Sequence, residues 1–381
     1  MKRKITAAAA FALCVAMGVC ACSPSEKEDT FTGKEKEELA WQPNLDRISP
    51  EVYADISNLD LKPGTYISVI GKREGTAYWS EVQAGVEQAA EDINKHLGYK
   101  GEDKIKVLYN APADSENIDE QVNILDEELA RYPDVIAVAS VAEDASAVQF
   151  DLAAENGIAV VAFDSRNNYQ GIQCTCMTDN VAAAKEGARK MSEAIEEKGE
   201  ILLIAQDSVS GTAKERTKAV TEEITANYPN VKVVETIYMD QFDDLKMQAA
   251  ADELGVTKEQ LAEWTVESSG QTPADEGEEA MSEEVRTKLE DIRAVADGMT
   301  DADVVAPYME KYPNLKGCFA VNADAVLLAM DAFETAENEE DIVLMGFDAG
   351  KEQIAALKMT ESPSSNSAIM TQQGSFTRYP R

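Results

Sequence analysis

The chain has one histidine, His96, among its 381 residues. A catalytic triad or a zinc site would have to be built around that single imidazole, so most histidine-based catalysis and metal chemistry is excluded. Basic charge is also scarce. The 35 Lys and Arg stand against 71 Asp and Glu, a net charge of −36. A surface so acidic repels phosphate backbones, which argues against nucleic-acid binding. Of six cysteines, Cys14, Cys20 and Cys22 fall in an apolar leader, and Cys174, Cys176 and Cys318 are too few to staple a large exported chain. Cys174-Thr175-Cys176 is read as an extended segment that projects both thiols onto one buried face, rather than as a redox or metal pair. Beyond the leader no apolar run is long enough to cross a membrane.

What is present begins with an address. Lys2, Arg3 and Lys4 precede an uncharged run, Ile5 to Cys22, in the order of a secretory signal. Its end, Val19-Cys20-Ala21-Cys22, resembles the lipobox of bacterial lipoproteins, in which the cysteine is lipidated and becomes the first residue. Residues 1–21 are therefore expected to be removed and Cys22 to carry a lipid on the outer face of the cell membrane or in the periplasm. Residues 22–63 read as a polar tether, and the folded part is expected to start after Pro63-Gly64. The length suggests two domains.

From there, β-rich apolar runs alternate with helical patterns. The runs are Tyr66–Ile70, Ile105–Tyr109, Val135–Ala139 and Ile158–Phe163, then Ile201–Ala205, Val231–Tyr238, Gly317–Val321 and Ile342–Gly346. Strand and helix repeated this often predict an α/β fold, with parallel sheets covered on both faces. Ligands of such sheets sit beyond the carboxyl ends of the strands. Residues 243–298 break the rhythm, with 16 acidic and 5 basic residues, and predict a helical insertion with an acidic loop. The spacing of an EF-hand is absent there, so no calcium site is expected.

The strand-end loops resemble those of type I periplasmic binding proteins, the ribose- and galactose-binding-like solute receptors of ABC transporters. The resemblance spans about Thr65 to Lys358 and rests on an ordered set of short motifs. Tyr78-Trp79 follows the first strand, and Asn156-Gly157-Ile158 leads to Phe163-Asp164-Ser165-Arg166. Thr178-Asp179-Asn180, Gly211-Thr212-Ala213-Lys214-Glu215-Arg216, Phe319-Ala320-Val321-Asn322 and Gly346-Phe347-Asp348-Ala349-Gly350 complete the series. The resemblance implies two Rossmann-like lobes with parallel sheets, joined by a multi-segment hinge and closing on a small polar solute. It implies an N-terminal lobe over 64–165, a C-terminal lobe over 166–346 and a return to the N-terminal lobe over 347–358.

By the same resemblance Asp164, Arg166, Asn180, Lys214, Asn322 and Asp348 fall on hydrogen-bonding positions, while Tyr78 and Trp79 supply an aromatic plate. A sugar suits that set, since one carboxylate accepts from two hydroxyls and a ring face suits C–H groups. The plainer roles are capping of the next helix by Asp164, Asn322 and Asp348, and stapling of its own helix by Trp79. The implied function is capture of a sugar-like molecule and its delivery to an ABC permease, without cofactor, metal or catalysis. A sensory lipoprotein that presents its ligand to a membrane receptor is the alternative. After Lys358 the pattern changes, with one acid in the 23 residues 359–381 and no strand signal. The sequence predicts a disordered tail and a lobe short of one strand, as a frameshift or truncation would leave it.

Overall fold

The computed structural model describes residues 55–113, 116–269, 282–336, 342–348, 350–360 and 369–372. Cys22, the leader, most of the tether and the acidic loop at 270–281 lie outside them. Among the described residues no helix is long and apolar enough to cross a membrane.

The first sheet holds Tyr66–Ile70 (β1), Lys106–Asn110 (β2), Val135–Val138 (β3), Ala159–Phe163 (β4) and Thr175–Cys176 (β5), in the order β2-β1-β3-β4-β5. Every neighbouring pair is parallel. Ala77–Leu97 (α1), Ile118–Leu129 (α2) and Ala147–Glu155 (α3) link these strands. Thr76 caps α1 by accepting from the Trp79 amide, and Gly98 ends it at φ 74°, a conformation that costs glycine little. Ile70, Leu125, Ile136, Val138 and Phe150 are sealed between sheet and helices.

The second sheet repeats the plan. Asn180–Ala194 (α4) opens it, followed by Gly199–Ala205 (β6), Gly211–Asn227 (α5) and Val231–Tyr238 (β7). Leu315–Ala320 (β8), Ala323–Ala336 (α10), Val343–Phe347 (β9), Lys351–Thr360 (α11) and Ile369–Gln372 (β10) complete it. Its order, β10-β9-β8-β6-β7, is that of the first sheet read from the other edge, and all its pairs are parallel. Ile201–Ala205 lies fully buried at its centre, as an unbroken apolar run between helices should. Between β7 and β8 stand Phe242–Glu253 (α6), Lys258–Ser269 (α7), Glu283–Gly298 (α8) and Asp301–Lys311 (α9). The first three share a small core of their own, with Ala250, Leu261, Leu289 and Ile292 buried against one another.

Four expectations differ from what is seen. Residues 369–372 form β10 and extend the second sheet beside β9, so the segment after Lys358 does contain a strand. Four residues with only Ile369 and Met370 apolar are too short to show periodicity. Residues 347–358 do not return to the first lobe, because α11 packs on α10 and β10. The first lobe extends past Arg166, because β5 pairs with β4. Among the described residues the chain passes between the sheets from Cys176 to Asn180. Finally, Cys174 and Cys176 are exposed, not buried: β5 is a two-residue strand at the edge of its sheet, where both of its residues meet solvent.

Candidate functional site

In sheets of this order the connections leave the strands in opposite directions at the β1/β3 and β6/β8 boundaries, and a crevice opens there. Lys72 follows β1, Gln206 and Asp207 follow β6, and Asn322 follows β8. These loops face each other and enclose a pocket lined by both lobes. Lys72, Tyr78, Trp79, Glu116 and Asp164 come from the first, and Gln206, Thr212, Arg216, Asn322, Asp324 and Asp348 from the second. The pocket is shut down to about 30 Å³, a water's worth of space rather than a sugar's.

The first-lobe wall is closely packed. Gly71 leaves β1 so close to its neighbours that a Cβ there would lie 2.1 Å from the Tyr109 hydroxyl and 3.2 Å from Trp79 Cε3. Trp79 is buried edge-on to Tyr78 at 5.2 Å and to Phe163 at 6.3 Å. The Tyr78 hydroxyl donates to Asp164 Oδ1 at 2.6 Å. Asp164 sits at φ 56°, a left-handed turn that aspartate tolerates better than most residues. Its Oδ2 faces the buried Lys72 ammonium at 3.7 Å, and Glu116 Oε2 lies 3.9 Å from the same nitrogen. Burial alone would push Lys72 down, but the charges of Glu116, Asp164 and Asp207 hold it above its ordinary value. Burial pushes the Glu116 carboxyl up to about 7, with Lys72 opposing and Asp207 and Asp164 adding to the rise. The Tyr78 phenol is likewise raised, by burial first and then by Asp164 and Asp348.

The second-lobe wall centres on Arg216. Its Nε donates to Asn180 Oδ1 at 2.9 Å, an Nη donates to the Val321 carbonyl, and the guanidinium lies 4.3 Å over the Phe347 ring. Asp348, at φ 65°, accepts from the Ala323 amide at 2.8 Å, and Asn322 accepts from Ala325 at 3.0 Å. Both thus cap α10 while lining the pocket. Burial raises the Asp348 carboxyl against the opposing pull of Arg216, and burial also raises Asp324.

Of the eight binding residues expected from the sequence, the structure brings Tyr78, Trp79, Asp164, Asn322 and Asp348 into this pocket. Asn180, Arg166 and Lys214 do not line it. Asn180 is buried behind Arg216, and its amide also donates to Glu215 Oε2 at 2.9 Å. Arg166 pairs with Glu215 at 2.8 Å and with Glu143 at 3.5 Å, and Lys214 reaches Glu143 at 3.3 Å. Glu143, on the first lobe, is therefore tied to α5 of the second by a short ladder of charges at the cleft edge. Lys72, Glu116, Gln206, Thr212, Arg216 and Asp324 are pocket residues that the sequence reading missed. For Arg216 a signal exists: Ala213, Arg216, Thr217, Val220 and Ile224 form the buried i, i+3, i+4 stripe of α5, and Lys214 lies off it.

A family model described as a periplasmic binding protein domain matches residues 67–260, just over half of the chain. The chain belongs to that family. Solved structures with this periplasmic binding protein's fold include an ABC transporter solute binding protein from Agrobacterium vitis with bound D-fucose. It is 22% identical with a TM-score of 0.54, and the match covers 77% of this chain and 80% of that one. A carbohydrate transporter solute binding protein from Agrobacterium radiobacter, in complex with D-arabinose, is 20% identical with a TM-score of 0.56, covering 77% and 79%. A sugar-binding protein of a sugar ABC transporter from Bacillus halodurans is 21% identical with a TM-score of 0.52, covering 77% and 78%. Comparison with curated proteins finds no match. At such identities the likeness of this periplasmic binding protein to the solved structures is one of fold.

Proposed function

We propose that the protein is an extracytoplasmic solute receptor, which captures a sugar-like small molecule between its lobes and delivers it to an ABC transporter. The observation that carries this reading is the two-sided pocket. Tyr78, Trp79 and Asp164 come from one lobe, while Arg216, Asn322 and Asp348 come from the other. The aromatic pair offers an apolar face, and the carboxylates, amide and guanidinium accept from and donate to hydroxyls. Family membership and the sugar-bound structures of the same fold support the assignment. The reading is one of binding rather than catalysis, in keeping with the chain's membership of a family of binding proteins.

The pocket at about 30 Å³ must open to admit a sugar, so recognition proceeds by separation and reclosure of the lobes. Melting the protein against a panel of pentoses and hexoses is the direct test. A ligand at a hundredfold its Kd adds about 2.7 kcal/mol of stability, several degrees in Tm. A panel that leaves the melt unmoved refutes the sugar reading. Anchoring through a lipid on Cys22 completes the proposal. Cys22→Ala should abolish the acyl mass and move the protein out of the membrane fraction, and unchanged fractionation would refute it.

A further inference from the structure

The junction of the lobes holds more unpartnered acceptors than donors. Glu116 Oε2, Gln206 Oε1 and Asp207 Oδ2 are buried with no hydrogen-bond partner among the described residues, against the two unpartnered donors Arg73 Nε and Thr212 Oγ1. Asp207 is 2% exposed. Its Oδ1 is used, accepting from the Val209 amide at 2.8 Å and from the Ser210 amide, which leaves Oδ2 toward Glu116 across the gap. Glu116 belongs to the first lobe, and Gln206 and Asp207 to the second. Stranding such atoms away from water is costly, and buried acceptors of this kind normally meet a donor. Lys72 does not meet the need, since its Nζ stands 3.9 Å from Glu116 Oε2, beyond hydrogen-bond length.

These atoms are also where the shut pocket communicates with a wider one. Glu116, Gln206 and Asp324 line both the inner pocket and an adjoining cavity of about 780 Å³, and Asp207 lines the latter. Among the described residues that larger space has seven carboxylates and one cation, Arg73, on its walls, and one of the seven, Asp301, pairs with Lys246 at 2.7 Å. The excess is far above the twofold ratio of acid to base in the whole chain. A neutral polyol could satisfy the acceptors but would leave this charge uncompensated. A metal ion is not suited, because no group of three or more ligating side chains converges among the described residues.

We infer that the solute carries a primary ammonium group, held between the lobes by Glu116, Gln206 and Asp207, so that the receptor's ligand is an amino sugar. The inference rests on the sugar-receptor reading and narrows it. An ammonium brings N–H donors to a junction where these acceptors stand unpartnered and offsets part of the local negative charge. It also takes the place of a proton on Glu116, whose raised affinity for one reports the same shortage of positive charge.

Calorimetric titration of the full chain at pH 7 with 2-amino, 3-amino and 6-amino hexoses, their N-acetyl derivatives, the parent hexoses and spermidine tests the inference. At least one amino hexose should bind ten times more tightly than its parent, and N-acetylation should remove the advantage. Asp207→Asn should cut the ratio of amino to parent affinity more than tenfold. A ratio taken on one protein is insensitive to partial misfolding, which lowers both affinities alike. If parent and N-acetyl sugars bind as well as amines, the inference falls and the sugar-receptor reading stands. If spermidine binds and no hexose does, the sugar reading falls and the ammonium site stands. If no probe binds, both fall.

Discussion

Acidification should shut the cleft of the unliganded protein, and Glu116→Gln should remove most of that response. In the closed form the Glu116 carboxyl is pushed up to about 7 from 4.5, because burial and the facing Asp207 outweigh Lys72. When the lobes part, Asp207 and Gln206 withdraw and the group returns toward its ordinary value. The closed state thus holds the proton more tightly. Its extra stability is present in full below pH 4.5 and is lost as pH rises through 7. Each tenfold gain in proton affinity is worth about 1.4 kcal/mol, so the full effect is roughly 3 kcal/mol, and the change between pH 5 and pH 8 is about 2.5 kcal/mol. That corresponds to about seventyfold in the ratio of closed to open molecules. Asp348 and Asp324, also raised by burial, act in the same direction. Lys72 and Tyr78 keep their protons throughout this range. Small-angle scattering reads the outcome as a radius of gyration that falls from pH 8 to pH 5. In Glu116→Gln, which is neutral at every pH, the slope should flatten and the cleft should stay near its low-pH form. A radius that is constant in the parent protein, or that grows on acidification, would refute the reasoning.

Two further substitutions probe the walls. Asn180→Ala leaves the buried Arg216 Nε without its acceptor and the guanidinium free to turn, so sugar affinity should fall ten- to a hundredfold, for about 1–3 kcal/mol; titration of the folded variant checks this, and unchanged affinity would return Asn180 to a purely local role. Gly71→Ala forces a methyl against the Tyr109 hydroxyl and Trp79, so a loss of about 1–3 kcal/mol in denaturant unfolding is expected, together with a shift in Trp79 fluorescence.

The strands were legible where both faces are buried. Ile201–Ala205 is apolar without interruption because helices cover it on either side, and β1, inside its sheet, falls on its expected bounds for similar reasons. β7 lies at a sheet edge and was legible through the length of its eight-residue run. The shortest edge strands were not. β5 and β10 are two and four residues long, too short for any period to register, and their place is fixed by pairing with β4 and β9. At the site, Asp164 and Asp348, which directly follow strands, line the pocket. Glu116 and Asp207 carry no local mark, since a carboxylate in a loop looks the same whether it faces water or an opposing lobe. Arg166 and Lys214 were placed one layer too deep. Their long side chains reach sideways to Glu143 and Glu215, and sequence spacing does not record that direction.

The order of the two sheets along the chain has a consequence for how the molecule is made. Among the described residues, the strands of the first sheet all lie between Tyr66 and Cys176, ahead of every strand of the second. A polypeptide that emerges amino-terminus first can therefore complete one half before the other half exists. Domains generally fold as such units, and early completion shortens the time that apolar surface lies open to aggregation. Folding would then be vectorial, with assembly of the cleft as its last event, because Arg216, Asn322 and Asp348 arrive only with the second half.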